Sequence, residues 1–370
     1  MAKLNIVHVA GTKGKGSTCA YVDSILSQYH LSHGTPTKVG LFTSPHLIAV
    51  RERIRIDSAP ISASLFAKYF FEVWDLLEAS PVPVEKPVYF RYLNLMSYHA
   101  FIQEGVDVAI YEVGVGGEYD STNIVDRPAV TGISTLGIDH VFTLGDTIDK
   151  IAWHKAGIMK KDVPAFSAPQ LPAAMEVAKA RAVEREVKSF EVVGTDPRLE
   201  GVKIRPDAPH QRGNASLAIA LAETVLKKLD PSFQRNPDTL PKEFIDGLEQ
   251  VVWRGRCEKK DGGEPGNITY YLDGAHTADS INVAVNWFAE ESSIPPLVSR
   301  FSEFSTNPIY PPPITTMAGP KVLIFNQQGY REALELLEVL YREAEAKRLR
   351  FDYVIFCPTV PITKGRKGKT

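Results

Sequence analysis

Cysteine is scarce in this sequence. Cys19, Cys257 and Cys357 lie far apart, with no CxxC or Cys/His spacing. That excludes a disulfide framework and a cysteine-bound structural zinc, and it fits a reducing compartment. Long apolar runs are missing too. No stretch of about 18 apolar residues occurs, so no membrane-spanning helix is expected. Nor does one sign of charge dominate. The 42 Lys+Arg against 44 Asp+Glu leave a formal charge of −2. This gives no general electrostatic reason to bind nucleic acid or an anionic membrane. No internal repeat is visible. Met1-Ala2-Lys3 runs at once into a strand-like stretch, not a signal peptide, so a cytoplasmic location is expected.

What is present is an ordinary globular composition, 44% hydrophobic and 23% charged over 370 residues. That length predicts at least two domains. Apolar runs at 4–9, 39–43, 106–113 and 129–134 read as buried strands. Helical patterns at 17–29, 62–77, 89–103, 147–156 and 213–228 alternate with them. The alternation predicts an α/β fold with a mainly parallel, helix-covered sheet over residues 1–253. A smaller α/β unit is expected over 257–370, with strands at 268–273, 321–326 and 353–357. Seven prolines between Pro295 and Pro320 mark an irregular insertion. The basic residues of 364–370 read as a solvated tail.

Between the first strand and first helix stands Val9-Ala10-Gly11-Thr12-Lys13-Gly14-Lys15-Gly16-Ser17-Thr18. Gly11, Gly14 and Gly16 permit close backbone approach to phosphate oxygens. The next helix offers its positive end to the same anion. Lys15 is placed to reach the outer phosphates, and Ser17 or Thr18 to meet Mg²⁺. The spacing departs from G-x-x-x-x-G-K-[ST], because Val9 replaces the first Gly and Gly16 separates Lys15 from Ser17. Glu112 ends a buried strand, where α/β folds commonly place ligands, and is a natural Mg²⁺ ligand.

Further segments carry a resemblance. They are Leu41-Phe42-Thr43-Ser44-Pro45-His46-Leu47, Arg51-Glu52-Arg53-Ile54, the run from Glu112 to Asn123, and Gly137-Ile138-Asp139-His140. Beyond them come His154-Lys155-Ala156-Gly157, Asn214-Ala215, Trp253-Arg254-Gly255-Arg256 and Leu272-Asp273-Gly274-Ala275-His276. In this order they resemble folylpolyglutamate synthases, of the Mur ligase superfamily, in wording nearest the fungal forms. The resemblance spans residues 4 to about 357.

It implies a P-loop domain followed by a smaller Rossmann-like domain. The implied activity adds L-glutamate to the γ-carboxylate of tetrahydrofolyl-(poly)glutamate through an acyl phosphate. ATP and Mg²⁺ are the implied cofactors, with a monovalent cation such as K⁺ as a further candidate. Gly11 to Thr18 would hold the nucleotide, with Lys15 acting catalytically. Ser17, Ser44, Glu112, His140 and a carbamylated Lys155 would serve metal ions. Without the resemblance, Lys155 reads as a surface lysine. Asn214 resembles an adenine-reading amide and alternatively reads as a helix N-cap. Arg256 would reach the phosphates, Asp273 contact ribose or orient the linker, and His276 face glutamate or the acyl phosphate. Thr122, Asn123 and the aromatics at 89–92 are candidates for a pterin pocket. Folate and L-glutamate are the implied partners, and a monomer is expected. A mitochondrial form follows by family analogy. Two rivals are a dihydrofolate synthase and an inactive nucleotide-binding remnant. Family members carry helices before the first strand, so this chain is expected to be shortened at both ends.

Overall fold

The computed structural model describes residues 4–80, 85–206, 208–263, 268–293, 319–327 and 333–357. Of the proline-rich stretch only Gly319 and Pro320 are described, and the basic tail lies outside the described residues. The chain divides into two compact units, Met1–Trp253 and Arg254–Thr370.

The first unit begins β1 (Val7–Ala10), α1 (Lys15–His33), β2 (Val39–Phe42), β3 (Ile54–Ile56) and β4 (Ala59–Pro60). It continues α2 (Ala63–Glu78), α3 (Tyr89–Gln103), β5 (Val108–Glu112), β6 (Val130–Ile133), α4 (Val141–Leu144) and α5 (Ile148–Ala156). It closes with β7 (Pro164–Ser167), α6 (Pro172–Glu184), β8 (Ser189–Val192), α7 (Pro209–Leu229) and α8 (Lys242–Gln250). The eight strands form one sheet in the order β4-β3-β2-β5-β1-β6-β7-β8. From β2 across to β8 in that order every pairing is parallel, whereas β3 runs antiparallel to both β2 and β4.

Alternation within each strand decides which helices cover which face. Val7, Val9, Val108, Ile110 and Val130 face α1 and α7 in one core. Ala109 and Tyr111 turn the other way, toward Met96 and Phe101 of α3. These side chains are almost fully buried, and each of the larger apolar ones contributes roughly 1.5–3 kcal/mol of transfer free energy. Ala152 and Ala156 of α5 meet Ala174 and Ala182 of α6 on that second face, where small side chains allow the two helices to approach closely.

β1 is central, with β5 on one side and β6 on the other. Val9 stands opposite both Glu112 and Gly132. The chain leaves β1 toward β2 on one flank, and β6 to β8 build the other. The crevice beyond the C-terminal end of β1 is therefore a topological switch point, the usual ligand position in such sheets.

In the second unit the strands are β9 (Glu258–Asp261), β10 (Thr269–Leu272), β11 (Val322–Phe325) and β12 (Tyr353–Phe356), with helices α9 (Ala278–Ser293) and α10 (Ala333–Ala346). Ile281 and Val285 pack with Leu336 and Ala344. The three expected strands are present, but among the described residues they fall into two separate pairs. β10 is antiparallel to β9, and β11 is parallel to β12. The Glu-Lys-Lys-Asp sequence of β9 has no apolar pattern, so the partner of β10 was not foreseeable from composition.

Candidate active site

Gly14 caps α1 at φ 84°, in the left-handed region. A Cβ there would lie 2.2 Å from Oδ1 of Asn214. Glycine is required on both counts. The loop is tied to the end of β6. Thr12 N and Lys13 N both donate to Thr135 O, at 2.9 and 3.0 Å. Ser134 Oγ donates to Lys13 O at 2.8 Å. The backbone N–H groups of Thr12 and Lys13, expected to face a nucleotide, are thus engaged by the protein. Lys15, Gly16 and Ser17 are different. They precede the first intrahelical bond, from Thr18 N to Gly14 O at 2.8 Å, so their N–H groups form the anion-receptive end of the helix. Ser17 is half-buried, whereas Thr18 is fully buried with its hydroxyl unpartnered. Ser17, not Thr18, is therefore the accessible hydroxyl.

Glu112 ends β5 and is only 5% exposed. Its Oε2 accepts from Ser44 N at 2.9 Å. Its Oε1 is 3.4 Å from where a Cβ on Gly16 would stand, with the Trp253 ring at 3.2 Å from the same point. The carboxylate thus adjoins the first turn of α1. Trp253 packs so close to Gly16 that a side chain there would force the ring to shift by a few tenths of an ångström. Among the described residues, no group of three or more His, Cys, Asp or Glu could hold a metal. One buried carboxylate beside a serine hydroxyl fits Mg²⁺, which keeps waters and phosphate oxygens among its ligands. His140 opens α4 with φ 51°. Its side chain is 46% exposed, and its ring nitrogen lies 3.7 Å from the Asp139 carboxylate.

Lys155 is not a surface lysine. It is 2% exposed, and its Nζ donates to Gly11 O at 2.8 Å. Burial, with the nearby charge of Lys15, pushes its amine down to about 7. The segment 117–123 holds this helix end in place. Glu118 N donates to His154 O at 2.7 Å. A Cβ on Gly117 would stand 2.6 Å from His154 O and 2.9 Å from Lys155 O, so only glycine lets the chains pass. Asn123 Nδ2 bridges Glu118 O and Gly157 O, each at 3.1 Å. The Glu118 carboxylate is held by Arg181 and Arg185, and the Arg181 guanidinium stacks over Trp153 at 4.4 Å.

That ion cluster carries a prediction. Arg181 has 3% of its side chain exposed. Removing Glu118 would leave its charge buried with one carboxylate fewer. Glu118→Ala is therefore expected to lower stability by about 3 kcal/mol, read as a reduced urea midpoint at unchanged m-value. A loss below about 0.5 kcal/mol would show the cluster to be no more than a surface pair.

The pterin-pocket candidates fare differently. Thr122 is fully buried. Its hydroxyl bonds the Asp120 carboxylate at 2.6 Å and the His8 ring at 2.9 Å. Tyr92 is buried, donating to Phe70 O at 2.7 Å. With Asn123 bridging backbone carbonyls, these residues support the loop and core. Tyr89, at 57% exposed, is the aromatic left facing outward.

Asn214 is not an N-cap. The helix begins at Pro209, with Ala208 as its cap, because proline suits the first helical position. Asn214 lies in its second turn, 6% exposed, with Nδ2 on Gln211 Oε1 at 2.9 Å.

In the second unit, Asp273 Oδ2 accepts from Cys257 N at 2.7 Å. Arg256 Nη1 donates to Gly255 O at 2.9 Å, and Gly274 N donates to Gly255 O at 2.9 Å. Of the two readings of Asp273, this contact fits the one that orients the linker. His276 Nδ1 lies 2.8 Å from Gly274 O, which leaves Nε2 as the outward nitrogen.

The parallel sheet, the glycine turn at its switch point and the carboxylate ending the adjacent strand define a P-loop α/β protein of the Mur ligase fold. No family model matches the chain. Curated relatives do. A folylpolyglutamate synthase of Neurospora crassa is 59% identical over 367 residues, covering 97% of this chain and 65% of the relative. One of Candida albicans is 45% identical over 391 residues, covering 98% and 70%. Among solved structures, Mycobacterium tuberculosis folylpolyglutamate synthase complexed with ADP and AMPPCP superposes with a TM-score of 0.68 at 26% identity, covering 95% of this chain and 74% of that one. An FPGS–AMPPCP complex shares the fold, with a TM-score of 0.71 at 24% identity, covering 98% and 81%. The chain belongs to the folylpolyglutamate synthase family. It spans a little under two thirds of the length of the Neurospora relative.

Proposed function

We propose that the chain is an ATP-dependent amide ligase that joins L-glutamate to the γ-carboxylate of a folate or folyl-polyglutamate. The observation that carries this reading is the meeting of three groups. These are the open N-terminus of α1 at Lys15 to Ser17, the buried Glu112 beside it, and Lys155 on Gly11 O at 2.8 Å. Support comes from relatives named folylpolyglutamate synthase and from a solved FPGS–AMPPCP–folate complex.

The chemistry needs little covalent help from the protein. The acceptor carboxylate attacks the γ-phosphorus of ATP, giving an acyl phosphate and ADP. The amine of glutamate then attacks the acyl carbon, loses a proton, and releases phosphate. The protein's task is positioning and charge neutralisation. Backbone N–H groups of Lys15, Gly16 and Ser17 bind phosphate oxygens, and the Lys15 ammonium offsets charge on the outer phosphates. Glu112 and the Ser17 hydroxyl would hold Mg²⁺, with Ser44 and His140 as further candidates. Bound there, the ion would neutralise phosphate charge. Asn214 lies against the loop where an adenine amide contact is feasible. In the second unit, Arg256 would serve the phosphates, Asp273 the ribose or the linker, and His276 the incoming glutamate or the acyl phosphate.

The test uses the purified chain with ATP, Mg²⁺ and tetrahydrofolate, with and without L-glutamate. The expected result is glutamate-dependent ADP formation with a folate mass gain of one glutamyl residue. ATP binding without product would overturn the ligase reading. Product from dihydropteroate but not from tetrahydrofolate would replace it with dihydrofolate synthase.

A further inference from the structure

The loop that follows β2 is built around the carboxylate of Glu52. Glu52 accepts from three successive N–H groups, Leu47 at 2.9 Å, Ile48 at 3.2 Å and Ala49 at 2.7 Å. Although burial works against its charge, these three donors hold its carboxyl below the usual range. With Glu52 so engaged, no ion pair reaches Arg53 among the described residues.

Arg53 is nevertheless held in a defined pose. Its Nε–H donates to Nδ1 of His46 at 2.9 Å. Its guanidinium lies over the Tyr89 ring, 5.4 Å from the centroid. The two Nη groups, the prongs of the fork, have no protein acceptor among the described residues. A guanidinium with its Nε fixed and its prongs open presents donors suited to a carboxylate.

Its position says which carboxylate. Thr43 N donates to Arg53 O at 3.1 Å, which sets Arg53 at the C-terminal end of β2. Ser44, the next residue, binds Glu112 at the end of β5. The phosphate-receptive loop ends β1. Since β2, β5 and β1 are consecutive in the sheet, Glu112 stands between the loop and Arg53. Arg53 continues β3, which lies one strand beyond β2; with strands about 4.8 Å apart, it roots about 14 Å from the loop strand. A reacting γ-carboxylate must meet the outer phosphate near Glu112. The same glutamyl residue carries a second, non-reacting α-carboxylate a few bonds away.

We infer that the Arg53 guanidinium, posed by His46 and Tyr89, binds the α-carboxylate of the acceptor's terminal glutamate and so sets the acceptor for γ-ligation. This rests on the ligase reading above. Arg53 is a specificity-determining residue here, and His46 is a positioning residue acting through it.

The experiment compares two acceptors, a folate with its α-carboxylate free and the same folate as its α-carboxamide. Wild-type chain is expected to show a KM about 10- to 100-fold lower for the free acid, the worth of a charge-assisted pair. Arg53→Ala should raise KM for the acid by that factor, leave the amide unchanged, and leave KM for ATP within twofold. Arg53→Lys should restore part of the preference, and His46→Ala should weaken it with the charge still present. Calorimetric titration of both acceptors onto the AMPPCP-loaded chain repeats the comparison without turnover. If Arg53→Ala keeps the full preference, or raises KM for ATP instead, the inference fails while the ligase reading stands. If wild type binds the acid preferentially but forms no product, the ligase reading fails and Arg53 is retained. If it binds neither acceptor, both fall.

Discussion

Glu112→Gln is expected to lower ligation turnover by at least about a thousandfold, at the upper end of what one electrostatic group in a closed site supplies. The change is nearly isosteric. Glutamine keeps an oxygen to accept the Ser44 N–H now held at 2.9 Å, so the end of β5 should keep its shape. What disappears is the negative charge beside the first turn of α1. A neutral amide is a poor partner for Mg²⁺, which prefers hard, charged oxygen ligands. The expected signature is loss of single-turnover phosphate release with an unchanged far-ultraviolet circular dichroism spectrum. The thermal midpoint should also stay within about 2 °C, since the substitution opens no cavity. Turnover within tenfold of wild type would remove Glu112 from the chemistry and return it to a loop-holding role through Ser44.

Local signals made part of this site readable in the sequence. The turn from Gly11 to Ser17 stands between an apolar run and a helical pattern. Glu112 closes a five-residue stretch that is buried throughout. Both features lie within about ten residues of the elements that explain them. What escaped depends on contacts across the chain. Lys155 reads as surface because α5 is nine residues long and flanked by His154; its burial comes from a loop 144 positions away. Thr122 reads as a pocket residue until His8, 114 positions earlier, is found against it. The β7–α6–β8 unit passed unnoticed for another reason. α6 packs through an alanine stripe, which gives little contrast between faces, and β7 starts on a proline with no branched residue. The alternative reading of Asn214 as an N-cap fails because the helix extends back to Pro209, capped by Ala208.

Lys155 should decide whether the proposed ligation depends on dissolved carbon dioxide. Only the neutral amine attacks CO₂, giving a carbamate and releasing a proton. An amine pushed from 10.5 down to about 7 is largely neutral at pH 8 and largely charged at pH 6. Carbamate formation, and activity that needs it, should therefore climb through that interval. Activity in bicarbonate-free buffer is expected to fall at least about tenfold and to recover on adding bicarbonate. Lys155→Met should abolish ligation even with bicarbonate present. The same shift also bears on stability. In the folded state the unmodified amine binds its proton less tightly than when unfolded. Between about pH 7 and 10.5 the unfolded chain holds more protons, so stability rises with pH across that window. Below pH 7 the cost of the buried charge is present in full. Without bicarbonate at pH 6, Lys155→Met is thus expected to melt no lower than wild type, despite losing the bond to Gly11 O. A variant that is inactive and also much less stable would mean that Lys155 supports the loop and nothing more. An inactive variant of undiminished stability, beside a wild type that needs bicarbonate, would place a carbamylated lysine in the reaction.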